Sequence, residues 1–263
     1  VAEDDRKNPV RLGYLAQDNL RVTIDIAEFN AKAGPGLAAL TALLSSGVAG
    51  HAPAPDDRRA FLVGWGLVAA LHRQACAVVL LHDSGLGHEA APNRRLMIEY
   101  VAHLQWLVRD GDAAVDSMNK AFQYKHTGLR KAADAGGYQY DANAADAVRD
   151  AIIPSNPSDE FNIMSKLLDR LGGGLLQSWL AETQLSHASL PAAQCFYRES
   201  GQAVQLFDVP TYNLDGDPMD ASPYVAFFFL YFGMIAFNEL MADGPWRSDL
   251  RSIGEVAGLA GAI

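Results

Sequence analysis

Three polar side chains recur one helical turn apart in the segment PNRRLMIEYVAHLQWLVRD: Arg95, Glu99 and His103, at i, i+4 and i+8, on a line that continues to Trp106. On an exposed helix, an arginine and a glutamate at this spacing form an ion pair worth about 0.3–0.5 kcal/mol. The line gains chemical interest because Ile98, Ala102 and Trp106 flank it, so the helix can be covered on both sides. Arg95 and Glu99 would then need each other or a ligand, since buried charge is tolerated only when paired. A second group lies in GLLQSWLAETQLSHAS, where helical spacing puts Thr183 and His187 on one face with Leu176, Trp179, Leu180 and Leu190. A histidine there is either a satisfied core residue or part of a buried polar site, with Thr183 one turn below as its hydrogen-bond partner. A third group is His72, which shares a face with Phe61, Trp65, Val68, Cys76 and Val79. These groups predict one cavity whose ligand-binding residues are Trp65, His72, Trp179, Thr183 and Ser189. Arg95, Glu99 and His187 are its candidate catalytic residues, with His187 as general acid or base and Arg95 steadying an oxyanion or phosphate.

Other chemistries fit poorly. A di-iron bundle wants Glu-x-x-His on two helices; the nearest spacings here are Glu99-x-x-x-His103 and Glu182-x-x-x-x-His187. There is no HExxH, Walker A or nucleophile-elbow motif. Asp215, Asp217 and Asp220 crowd one loop but lack the glycine and closing glutamate of a calcium loop, so an acidic turn is expected. Cys76 and Cys195 form no CxxC motif and are expected to be two buried free thiols. No metal ligand set is predicted, and the sequence names no cofactor. The net charge of −10 argues against a nucleic-acid coat, whose phosphates need clustered Lys and Arg. The densest basic stretch, Lys120, Lys125, His126, Arg130 and Lys131, is expected to be a solvated helix face.

The elements that must position these residues are helical. Of the 263 residues, 49% are apolar and 20% charged, enough for a sizeable core. Periodicity, caps and glycine stops predict helices at 11–32, 36–47, 56–83, 92–110, 112–133, 142–152, 158–171, 174–189, 222–242 and 247–258. Residues 202–209, QAVQLFDV, are the one strand-like stretch and suit an arm of a small hairpin. The expected architecture is all-α: a single helical domain over 1–263 with one long central apolar helix. The run PYVAFFFLYFGMIAF is shorter than the roughly 20 residues a bilayer span needs, so a C-terminal core helix at 222–242 is expected. The segment VAEDDRKNPVR lacks the apolar run of a secretory signal. A soluble cytoplasmic chain with no membrane association is the resulting expectation.

One pattern extends beyond single helices. A long apolar helix precedes the Arg95-x-x-x-Glu99 helix, and Thr183-x-x-x-His187-x-Ser189 follows much later. Over roughly residues 55–195 this resembles a bacterial all-helical family catalogued only as a domain of unknown function, although Ala188 stands where that pattern often has proline. The resemblance implies a bundle in which Arg95, Glu99 and His187 converge. A more distant resemblance is to the HEPN helical superfamily, which includes ribonucleases of toxin and defence systems. Its Arg-to-His spacing is shorter than the Arg95–His103 spacing here. Three functions are therefore weighed: binding of a small-molecule ligand or substrate in a buried polar pocket between the long helices, a HEPN-like ribonuclease or defence-type enzyme, and a structural protein that forms a homodimer through the aromatic 222–242 helix.

Overall fold

A computed structural model describes residues 26–47, 52–53, 58–139, 141–172, 174–201, 203–211 and 220–259. The fold is all-α. Its helices are α1 (Ile26–Ser45), α2 (Arg58–Asp83), α3 (Ala91–Asp110), α4 (Asp112–Gly136), α5 (Ala142–Asp150), α6 (Met164–Leu171), α7 (Leu175–Ser186), α8 (Leu190–Gln194), α9 (Ser222–Glu239) and α10 (Arg247–Val256). A 3-10 turn spans Pro157–Asn162. The small hairpin pairs β1 (Tyr197–Ser200) with β2 (Ala203–Leu206), antiparallel, Tyr197 opposite Leu206.

Local chemistry explains most boundaries. Pro92 occupies the first turn of α3, where a missing N–H removes no helical bond. The Asp141 carboxylate accepts the Ala144 N–H at 3.1 Å and caps α5. Gly111 and Gly137 take positive φ and close α3 and α4. Around the central pair α3 and α9 pack α1, α2, α7 and α10. Twelve of the eighteen residues of α9 are buried, so the aromatic run is a core helix as its length suggested. Trp106, Phe227, Phe237, Met97 and Leu104 are fully enclosed with it.

Several expected boundaries are corrected. The sequence predicts separate helices at 11–32 and 36–47, broken at Gly34-Pro35. Instead α1 runs through Pro35, while residues 11–25 lie outside the described set. Packing overrides the local breaker: a Cβ on Gly36 would stand 2.5 Å from the Phe227 ring, so the missing side chain lets α1 close onto α9. The expected helix at 158–171 divides at Ile163 into the 3-10 turn and α6. Asn156 and Asp159 cap that turn reciprocally, and Ser117 donates to the Asp159 carboxylate at 2.8 Å, which fixes it against α4. The 174–189 helix ends at Ser186, with His187 extended (φ −117°, ψ 161°). Cys76 is exposed rather than buried, although both cysteines are free. It sits on an outward stripe of α2 with Leu62, Gly66, Arg73 and Leu80. Among the described residues, α2 is the one helix long and apolar enough by length and composition to cross a membrane, and 28% of that stretch is buried.

Candidate functional site

The seam between α3 and α7 holds two arginine–glutamate pairs side by side. Arg95 and Glu99 pair at 2.9 Å, as their spacing on α3 requires. From α7, Trp179 brings its indole N–H to the same Glu99 oxygen at 2.9 Å. The Arg95 guanidinium lies over the Trp179 ring, 5.0 Å from its centroid, within reach of a cation–π attraction. One turn further along α3, His103 donates through Nδ1 to the Glu99 carbonyl oxygen at 2.7 Å, which leaves Nε2 as its acceptor. Burial pushes the His103 imidazole below its ordinary value and outweighs the Glu99 interactions that raise it.

A second pair lies beside the first. The Arg94 side chain is only 10% exposed; its Nε donates to Glu182 Oε1 at 2.8 Å. Its Nη1 donates to the Gly87 carbonyl at 2.6 Å and to Ser222 Oγ at 2.9 Å. One side chain thus ties α3 to α7, to the turn before α3 and to the start of α9. That start is held further by Asp220, which accepts the Ser222 N–H at 2.9 Å and faces His82 Nδ1 at 2.7 Å. Burial raises the Asp220 carboxyl, but hydrogen bonds from Ser222 and His82 outweigh it and hold the group below the usual carboxylate range. Gly87 leaves room here: a Cβ would lie 1.9 Å from Asp220 Oδ2, so any side chain would push the carboxylate aside.

Two atoms on the seam break this pattern of pairing. Arg95 Nε and Glu182 Oε2 are buried and have no hydrogen-bond partner in the protein. One is a donor and the other an acceptor. Glu182 stands three residues after Trp179, so both project from the same face of α7.

The expected site residues divide into those the seam gathers and those it leaves elsewhere. Arg95, Glu99 and Trp179 come together. Thr183 belongs to the same helix, but its hydroxyl donates to the Trp179 carbonyl at 2.6 Å and not to His187. His187 is exposed at the end of α7. Because Arg94 meets Glu182 while Glu99 meets Trp179, α3 and α7 run antiparallel, and His187 lies past the end of α7 on the Arg94 side of the seam. Ser189 caps α8, accepting the Ala192 N–H at 3.3 Å. Trp65 packs on Phe237 at 5.8 Å between ring centroids. His72 faces α1, 3.0 Å from Thr41 Oγ1, and burial lowers its imidazole's pKa, aided by the nearby Arg73 charge. These five positions therefore do not line one cavity with Arg95.

Helical spacing does not reveal the Arg94–Glu182 pair, because its two members are 88 residues apart. The signal available was Arg94 standing between Met97 and Ala91 on the inward arc of α3, all three buried.

Away from the seam, Asp110 is clamped in two-pronged fashion by Arg170, at 2.7 and 2.9 Å, and accepts from Trp106 Nε1 at 3.0 Å and from Ser158. Burial raises the Asp110 carboxyl, and these hydrogen bonds overcome it to hold the group low. The basic stretch of α4 is partly neutralised, since Lys120 meets Asp159 at 2.5 Å and Arg130 pairs with Asp146. Asp215 and Asp217 lie outside the described residues. Among the described residues no three His, Cys, Asp or Glu side chains gather as a metal site would require. Comparison with protein-family models, with curated proteins and with solved structures returns no match.

Proposed function

We propose that the chain binds a small polar molecule at the α3–α7 seam, with Arg95, Glu99, Trp179 and Glu182 as the contacting residues. The observation that carries this reading is the pair of buried, unpartnered atoms, Arg95 Nε and Glu182 Oε2. A buried polar atom left unpaired costs about 1–3 kcal/mol, and more when charged. Two such atoms of opposite character on one seam are what a polar guest would satisfy. Arg94 serves as a positioning residue: it fixes Glu182 through one oxygen and leaves the other oriented by a rigid support.

The reading retains the small-ligand function expected from the sequence but moves the site. Trp65, His72, Thr183, His187 and Ser189 leave it, and Arg94 and Glu182 enter. It favours binding over general acid–base catalysis, because both carboxylates are held in ion pairs and His187 stands apart.

Nitrogen-15 NMR of the four tryptophan indole N–H groups tests it, with the Trp179 signal assigned by its absence in Trp179→Phe. A library of small neutral, anionic and cationic fragments is added to the wild-type chain and to Glu182→Gln. Saturable shifts of the Trp179 signal that change in Glu182→Gln support the reading. A Trp179 signal that no fragment moves overturns it.

A further inference from the structure

Helix α2 shows solvent an apolar face that the described fold leaves uncovered. Leu62 and Leu80 are 58% and 68% exposed, and only 28% of the helix's apolar stretch is buried. The face is regular. Leu62, Gly66, Ala69, Arg73, Cys76 and Leu80 follow one another at steps of four, three, four, three and four residues. At about 100° per residue, all six fall within about 40° of a single line roughly 27 Å long. Alternating steps of four and three are the spacing by which one helix packs along another. The two ends of the line carry opposite charge. Arg58 stands at its start and Asp83 at its end, both exposed, and neither forms an ion pair or hydrogen bond with a described residue. Helical rotation puts both on the same flank of the line. The aromatic helix α9, by contrast, is buried in the core and offers no such face.

We propose that this face binds a second copy of the chain, the two α2 helices lying antiparallel about a two-fold axis that crosses the line midway between Ala69 and Arg73. The axis sets Leu62 against Leu80 of the second copy and Gly66 against its Cys76. Because Arg58 and Asp83 share a flank, it also brings the Arg58 of each copy to the Asp83 of the other, once at each end. A parallel pair would set Arg58 on Arg58 and Asp83 on Asp83, so the charges select the antiparallel arrangement. Arg73 falls beside Gly66 and Ala69 of the second copy. Those small residues leave room for its stem while the guanidinium reaches water at the edge. The two Arg73 charges stand on the same side of the axis and repel, which limits the affinity. A lipid surface fits the face less well. It would draw Arg73 toward hydrocarbon in the middle of the line and set Asp83 against anionic headgroups.

Sedimentation equilibrium of the chain, from micromolar to submillimolar concentration, reads the association directly. The mass is expected to rise toward twice that of a single chain. Leu62→Glu with Leu80→Glu should raise the dissociation constant by about 100-fold or more, since each copy loses both buried leucines. Arg58→Asp and Asp83→Arg each turn two attractive contacts into repulsive ones and should weaken the dimer about ten-fold. The double variant exchanges the signs and should return near the wild-type constant. Both substitutions suit the α2 dipole, acid at its start and base at its end, so the helix is kept, as far-UV circular dichroism checks. Arg73→Gln should tighten the dimer by removing the central repulsion. A chain that stays monomeric over the whole range would overturn the proposal, and binding of that monomer to anionic phospholipid vesicles would assign the face to a bilayer. A dimer indifferent to the leucine substitutions, or charge variants whose losses add where they should cancel, would overturn it equally.

Discussion

Replacing Arg94 with methionine is the sharpest test of how the seam is built. Its guanidinium makes three hydrogen bonds, to Glu182, Gly87 and Ser222, from a side chain only 10% exposed. Methionine fills similar volume but leaves the Glu182 carboxylate, itself 19% exposed, without its counter-charge. Breaking one partner of such a pair costs about 3–5 kcal/mol, most of it the desolvation of the remaining charge. For a chain of this size that corresponds to a fall in Tm of roughly 6–20 °C. The double variant Arg94→Met, Glu182→Leu removes both charges and is expected to recover to within about 1 kcal/mol of wild type, as apolar replacement of buried pairs often does. Urea unfolding of the two single variants and the double, read as a double-mutant cycle, supplies the coupling energy. A loss below about 1 kcal/mol in Arg94→Met, or a second substitution that adds to the damage, would refute the claim that this pair is buried and mutually dependent.

Other perturbations probe the supporting structure. The Asp110 and Asp220 carboxyls are held low in the folded chain, so the stability they contribute is present above their unfolded values, near pH 4, and is lost as pH falls through the lower folded values. Urea midpoints measured from pH 6 to pH 2 should therefore fall in acid, with a shallower fall in Asp110→Asn. Gly87→Ala should lower stability by about 1–3 kcal/mol by thermal unfolding, because its methyl group would displace Asp220 from His82. Leu62→Glu with Leu80→Glu, on the outward stripe of α2, should change the unfolding free energy of the isolated chain by less than about 0.5 kcal/mol each.

The all-helical architecture was legible because its signals are local. Apolar periodicity, Pro92 in a first turn and Asp141 as a cap act within a few residues, and the boundaries they set lie within two or three positions of those observed. Pro35 misled for the opposite reason: whether a helix survives a proline depends on what packs against it, here the Phe227 ring over Gly36. The same distinction runs through the site. Arg95 and Glu99 are neighbours on one helix, so spacing alone revealed their pairing. Trp179 was placed on an inward face by periodicity, but its bond to Glu99 depends on how α7 docks. The face expected for His187 assumed a helix running to residue 189, and the chain instead leaves the helix at Ser186. Arg94 is marked locally only by its place on the inward arc of α3, and its partnership with Glu182 exists only through the packing of α7 on α3.

A crystal structure of the chain grown with the fragment that most shifts the Trp179 signal tests the central claim most directly. The account expects ordered density between α3 and α7 within hydrogen-bond distance of both Arg95 Nε and Glu182 Oε2, with the Arg94–Glu182 and Arg95–Glu99 pairs intact. A seam in which those two atoms bond to the chain's own groups, with the fragment bound elsewhere or not at all, would contradict it.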